Sequence, residues 1–309
     1  MDLIADIGAT NSRCALLDEN GLTIRSARFI NRDFASLAAL LATFADGAAL
    51  TRAALAIAAP ISGDEITMTN VDWRFSQEAL RDSLELKTLR VLNDFEAVAL
   101  SLPLLQASDC HGVGAGTSAP RATRAVLGPG SGLGVASTVP HDDGWTPISG
   151  EGGHVTLPAL DDDEARIIAD HADPNGHCSA ERLLSGPGLV RIHSSLAGQA
   201  GLEPGDLTPS QVTERMQAGD VTAVRAYEIF FALLGTVAGN LALTVGARGG
   251  VYIAGGIVPR VVDALEQSRF RERFVAKGRY RDYLDSIRTA VITIEQPAFP
   301  GLRHALSLS

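Results

Sequence analysis

Three times along this chain an apolar run stops at a glycine turn: residues 3–7 run into Gly8, 125–128 into Pro129-Gly130-Ser131-Gly132, and 251–254 into Gly255-Gly256. Short apolar runs of this kind read as buried strands, and glycine at their ends marks a tight turn or a close approach to backbone. Between them lie helical spacings, such as Phe34, Leu37, Leu40, Leu41 and Phe44 within 33–44. Strands alternating with helices place the chain in the α/β class, where sites gather at the carboxyl ends of strands.

The remaining elements fit that frame. Residues 13–17 and 22–29 read as strands joined by Asp18-Glu19-Asn20-Gly21, whose Asn-Gly suits positive φ, and 53–58 is a strand stopped by Pro60. Residues 89–92 form another strand, after which Asp94 is expected to cap a helix over 95–100 that ends before Pro103. Further on, 133–139 and 290–294 read as strands, Thr208-Pro209-Ser210-Gln211 as a capping box, and Asp220 as the cap of a long helix reaching Val245. A helix over 258–265 is expected behind the last glycine turn. The Gly-, Ser- and Ala-rich stretch 106–121 marks a domain boundary, and 309 residues with 46% apolar content suffice for two domains with a cleft.

Composition excludes several classes of function. The formal charge of −10, with no Lys/Arg-rich run, disfavours nucleic-acid or anionic-membrane partners. Lys87 and Lys277 are the only lysines, so phosphate must be held by backbone N–H groups, Arg or a metal. Cys14, Cys110 and Cys178 are odd in number and widely spaced, which suits a reducing cytosol better than a disulfide or zinc framework. The segment Asp2-Leu3-Ile4-Ala5-Asp6 lacks a signal peptide's basic flank and apolar length, so a cytoplasmic protein is expected. Residues 229–247 are uncharged and contain Gly235-x-x-x-Gly239, a membrane-helix spacing, but Gly, Thr and Asn dilute them and a buried soluble helix is expected.

Polyphosphate needs closely approaching N–H groups, which Gly8-Ala9-Thr10 and Gly130-Ser131-Gly132 can supply, with Thr10 and Ser131 hydroxyls as further donors. Neither the P-loop pattern nor a dinucleotide fingerprint occurs, since Leu133 stands where the third glycine belongs. Asp6, beside the first turn, either reaches Mg²⁺ directly or through water, or simply organises the turn. Asp94 suits a helix cap and equally a general base, and with Asn93 beside it the pair suits deprotonation of an alcohol. Glu151-Gly152-Gly153-His154 and Glu181 offer acceptors for a neutral polyol; for Glu181 a helix first-turn role competes. Metal-ligand spacing is absent around His171, His177, Cys178 and His193, and Gly130-Ser131-Gly132 lacks the frame of a serine-hydrolase elbow.

On Asp6-Ile7-Gly8-Ala9-Thr10-Asn11, Leu92-Asn93-Asp94-Phe95-Glu96-Ala97, residues 128–134, Ile148-Ser149-Gly150-Glu151-Gly152-Gly153-His154, residues 179–189 and residues 253–260, the chain resembles bacterial glucokinases of the hexokinase, acetate kinase and actin-like ATPase superfamily. The resemblance implies a two-domain actin-like ATPase (ribonuclease H-like) fold, with mixed β-sheets flanked by helices and an interdomain cleft. Its small α/β domain would take 1–105 plus about 293–309, and its large α/β domain 106–292. The implied activity is ATP-dependent phosphorylation of D-glucose to glucose 6-phosphate, feeding glycolysis, with Asp94 as base. Asn93, Asp94, Glu151, His154 and Glu181 would hold the sugar. Asp6, Gly8, Ala9, Thr10, Asn11, Gly130, Ser131, Gly132, Gly255 and Gly256 would serve ATP, with Mg²⁺ reaching Asp6 through the nucleotide. A cytoplasmic homodimer without nucleic-acid or membrane partners, in the zinc-free branch, is implied as well.

Two features depart from the family pattern. Ala9 replaces a glycine in the first turn, and residues 296–305 lack the family's glycine-and-alanine helix start. The rival readings are a kinase for another hexose or an amino sugar, and a non-catalytic sugar-sensing regulator of the same fold.

Overall fold

Strands form where the apolar runs lie. The computed structural model describes residues 1–68 and 71–308. Its internal contacts divide the chain into two units, Met1–Gln106 with His141–Ser149 and Ile294–Ser309, and Ala107–Pro140 with Gly150–Thr293. The first unit holds β1 (Asp2–Ile7), β2 (Asn11–Leu17), β3 (Thr23–Ile30), β4 (Arg52–Ile57), the short β5 (Glu65–Thr67) and β6 (Arg74–Ser76), and β7 (Thr88–Asn93). Five of them make one sheet in the order β3-β2-β1-β4-β7.

In that sheet β1, β4 and β7 run parallel, with Ile7 level with Ile57 and Ile57 level with Asn93. Their carboxyl ends therefore share one edge, the place where α/β sheets expose backbone to ligands. The helix Leu37–Ala45, capped by Ser36, buries Leu37, Leu40, Leu41 and Phe44, as its spacing demands. The C-terminal segment forms the helix Phe299–Ser307 with Pro300 in its first turn. It docks on the helix Asp94–Ser101. Gly301 makes this possible: a Cβ there would collide with the Ala97 carbonyl, and the Gly301 N–H donates to Ser101 Oγ at 2.7 Å.

The other sheet has the order β11-β10-β9-β12-β13-β8, formed by β8 (Cys110–Val113), β9 (Arg124–Pro129), β10 (Leu133–His141), β11 (Gly144–Gly150), β12 (Val251–Ile253) and β13 (Thr289–Ile292). β9 and β12 are parallel with Leu127 level with Ile253, so their two glycine turns emerge side by side. The second unit's core includes Phe230, Phe231, Phe270 and Phe274, all buried. Burying such side chains supplies about 1.5–3 kcal/mol apiece.

The apolar segment that reads like a membrane span is the helix Val221–Val245, capped by Asp220 and closed by Gly246 in the left-handed region at φ 63°. By length and composition it could cross a membrane, yet 67% of its most apolar window is buried within the protein. Its small residues have a local reason. A Cβ on Gly235 or Gly239 would strike the Phe270 or Phe274 carbonyl, so the spacing lets the helix Phe270–Val275 cross at close range.

One expected helix is broken. Residues 258–265 form a 3₁₀ turn, Val258–Arg260, and then the helix Val262–Glu266, with Val261 at φ −137° and ψ 37° between them. Val258, Val261 and Val262 are β-branched, so the run gives up little helix propensity by leaving helical geometry at Val261, whose side chain is buried.

Candidate functional site

The first group of candidate residues sits at the shared carboxyl edge of β1, β4 and β7. β1 ends at Ile7, and the chain turns through Gly8, Ala9 and Thr10 into β2. The Gly8 N–H donates to the Asn11 carbonyl at 3.1 Å. Asn31 Nδ2 holds the Gly8 carbonyl at 2.8 Å, while Ser12 Oγ donates to Asn31 Oδ1 at 2.7 Å. Ala9 does not adopt positive φ, so this turn needs no left-handed conformation and alanine fits there. Thr10, at the end of the turn, is exposed.

Asp6 is paired by cross-strand register with Arg13, whose Nη1 lies 3.9 Å from Asp6 Oδ2. Burial raises the Asp6 carboxyl above the ordinary carboxylate range, and the Arg13 guanidinium opposes that rise. Arg13 belongs to none of the motifs. Its signal is the alternation of β2, which turns Arg13 and Asn11 to the same face.

At the end of β7, Asn93 rather than Asp94 is the N-cap. Asn93 Oδ1 accepts the Phe95 and Glu96 N–H groups at 2.9 and 3.3 Å, and the Glu96 carboxylate returns to the Asn93 N–H, completing a capping box. Both residues are good caps, so sequence leaves the boundary open by one position. Asp94 is thus the first helical residue, its Oδ1 accepting the Phe95 N–H at 2.9 Å. Asn93 Nδ2 donates to the Ala59 carbonyl at 3.3 Å.

Burial and then the charge of Asp6 push the Asp94 carboxyl up to about 6, while the Phe95 N–H pulls the other way. A carboxylate so placed is ionised at neutral pH yet basic enough to take a proton in a transition state. Perturbation of this kind by burial and a nearby like charge is characteristic of functional carboxylates.

The second group lies in the other unit. In the turn between β9 and β10, the Gly130 N–H donates to the Gly132 carbonyl at 2.8 Å and leaves Ser131 exposed. Gly255, at φ 85°, packs so tightly that a Cβ would meet the Pro129 carbonyl. The Gly186 N–H, at the start of the helix Gly186–Gln199, donates to the Gly130 carbonyl at 2.8 Å. Two glycine turns far apart in the chain and one helix start therefore converge, held together by the Gly130 and Gly186 N–H groups. A cavity of about 270 Å³ opens beside Gly256, lined also by Leu189, Thr213, Glu214 and Arg260.

Glu151, Gly152, Gly153 and His154 form a turn against β10. A Cβ on Gly153 would strike the Leu133 carbonyl, so glycine is obligatory there for contact rather than flexibility. The Glu151 and His154 side chains are 69% and 59% exposed and lie 3.9 Å apart. The Leu157 N–H donates to the Cys178 carbonyl and the Ala180 N–H to the Val155 carbonyl, both at 2.9 Å, which brings the Glu181 segment alongside. Ser179 caps the short helix Ala180–Leu183, and Glu181 stands in its first turn, as the competing sequence reading expects. Glu181 also reaches across to accept the Leu133 N–H at 2.8 Å.

Metal sites built from the protein alone are not found: among the described residues no three His, Cys, Asp or Glu gather as ligands. Cys14 is buried, its thiol pushed up to about 12 by burial and by the charge of Asp6, and so is inert.

The sequence model of the glucokinase family, described as "Glucokinase", matches residues 3–309. A glucokinase of Nitrobacter hamburgensis is 43% identical over 306 residues, covering 98% of this chain and 96% of that protein. The crystal structure of a glucokinase from an Antarctic psychrotroph superposes with a TM-score of 0.88 at 31% identity, covering 100% of this chain and 99% of that one. A ROK family glucokinase from Streptomyces griseus, solved with glucose and AMPPNP, shares the fold at a TM-score of 0.68 and 17% identity, over 100% of this chain and 98% of that one. The expected α/β actin-like ATPase architecture is thus the one these structures share. A family match from residue 3 to the end, with relatives at this identity over nearly the whole length, makes the chain a member of the glucokinase family.

Proposed function

We propose that the chain transfers the γ-phosphoryl group of ATP to the 6-hydroxyl of D-glucose, yielding glucose 6-phosphate and ADP for glycolysis. The observation that carries this reading is the Asp94 carboxyl, raised to about 6 at a strand-to-helix corner and free of the capping role. Asp94 accepts the proton as the hydroxyl oxygen bonds to phosphorus, and the bond to the β,γ-bridging oxygen breaks to release ADP.

In this reading Asn93 and Asp94, with Glu151, His154 and Glu181, engage the hexose hydroxyls. Gly8, Ala9, Thr10 and Asn11 and the two convergent turns, Gly130-Ser131-Gly132 and Gly255-Gly256, present N–H and hydroxyl donors to the polyphosphate. Asp6, one hard carboxylate held close to Asp94, would hold Mg²⁺ directly or through water, and the ion would supply charge neutralisation at the phosphates. Catalysis then rests on positioning and charge stabilisation. The protein acts in the cytoplasm as a homodimer.

Product detection by coupled assay over a panel of hexoses, amino sugars and phosphoryl donors, with Mg²⁺ present, tests the reading. Glucose with ATP is expected to give the highest kcat/KM. Absence of glucose-dependent ADP release would overturn catalysis, and a better rate on another sugar would move the specificity.

A further inference from the structure

The peptide that closes the β9–β10 turn touches both sugar-side segments of the second unit. On one side the Leu133 N–H donates to Glu181 Oε2 at 2.8 Å. On the other, the Leu133 carbonyl lies against Gly153, between Glu151 and His154. One residue earlier, the three atoms nearest to where a Gly132 Cβ would stand all belong to the Glu181 carboxylate, whose carboxyl carbon would lie at 3.1 Å. Gly132 is not in the left-handed region, so its backbone would accept an L-residue. What excludes a side chain there is the acid alone.

Most other tight glycines of the unit differ, apart from Gly114 and Gly152, which would meet the Arg271 and Val135 side chains. Gly153, Gly188 and Gly255 would each strike backbone, which cannot move aside. Gly132 faces the end of one side chain whose position matters to a ligand. The Leu133 bond occupies Glu181 Oε2, which leaves Oε1 available as an acceptor.

We infer that Gly132, besides offering its N–H to phosphate, is a positioning residue for hexose: its missing side chain is the space that lets the Glu181 carboxylate dock on the Leu133 N–H, aimed at a sugar hydroxyl. The inference rests on the hexose-kinase reading and deepens it. It assigns the last glycine of a phosphate turn to acceptor recognition, and makes that glycine answer to Glu181, 49 residues away.

The experiment is a double-mutant cycle in the full chain, read as separate KM values for glucose and ATP and as kcat. Gly132→Ala displaces Glu181 and should raise KM for glucose at least tenfold, with KM for ATP changed less than threefold. Glu181→Asp shortens the acid by one methylene and should raise KM for glucose by itself. In the double variant the shorter acid clears the methyl introduced at position 132, so the combined loss should be at least fivefold smaller than the product of the two single losses. Thermal melts confirm that each variant folds. A rise confined to KM for ATP, or strictly multiplicative losses, would overturn the assignment. Failure of wild-type protein to phosphorylate any hexose would instead sink the underlying function, and the two failures are distinguishable by that control.

Discussion

The acid corner of the first unit and the glycine scaffold of the second solve different physical problems. Asp94 is desolvated and feels the charge of Asp6, which raises its proton affinity; Asp6 is itself raised by burial, with Arg13 pulling against the rise. Glu151 and His154 are largely solvent-exposed, held in place not by their own contacts but by a backbone that only glycine permits. A group that moves a proton has to be desolvated to be tuned. A group that reads a hydroxyl has to be aimed, and aiming is a matter of backbone position.

Asp94 is where that contrast breaks most easily. Asp94→Asn is expected to lower kcat by about 10²–10⁴-fold with little change in glucose affinity, measured by steady-state kinetics and by calorimetric titration of glucose. Retained turnover would remove the proton-transfer role from the acid corner. Next comes the scaffold: Gly153→Ala drives a methyl into the Leu133 carbonyl and should cost about 2–4 kcal/mol of stability by denaturant unfolding. An unchanged midpoint would mean that the β10 contact is not what aims Glu151 and His154.

A smaller effect is expected from truncating an exposed reader. His154→Ala should raise KM for glucose about tenfold, corresponding to one lost hydrogen bond of roughly 1–2 kcal/mol, with kcat nearly retained. A kcat loss as deep as that of Asp94→Asn would blur the division of labour between the two regions.

The smallest effects concern pH. As the proposed base, Asp94 has to be ionised, so kcat/KM should fall tenfold per unit as pH drops below about 6. An acid limb near 4 would show that burial does not tune it. Stability moves in the opposite sense. The folded protein binds this proton more tightly than the unfolded chain, so the favourable term is complete below the unfolded value of 3.8 and lost as pH rises through about 6. Asp94→Asn should therefore be more stable than wild type at pH 8 by roughly 1–2 kcal/mol, and the gain should vanish near pH 4.

Much of this is legible along the chain. The strand-to-glycine corners at Gly8, Gly130 and Gly255 follow from local pattern, since an apolar run and a glycine turn need no distant partner to be recognised. The long helix ending at Gly246 is equally plain, with Asp220 at one end and a left-handed glycine at the other. Other features are not legible. Asn93 and Asp94 are adjacent caps of equal quality, and only the geometry of β7 assigns the cap to Asn93. The β-branched Val258, Val261 and Val262 make a break cheap without placing it, and only the fold puts it at Val261. Nor does the sequence around residue 299 foretell a helix whose Gly301 seats on Ala97.

By itself, then, the sequence determined the α/β alternation, the strand ends where ligands can reach backbone, and the chemical kinds of side chain placed there, because each depends on residues within a few positions. Tertiary structure alone decided that burial and then the charge of Asp6 raise Asp94, that Glu181 lands on Leu133, and that Gly132, Gly153 and Gly255 are glycines for three different neighbours. Those outcomes depend on close approach between segments that are not neighbours in the chain. Burial, charge coupling and steric exclusion act through space, and distance along the chain carries no record of them.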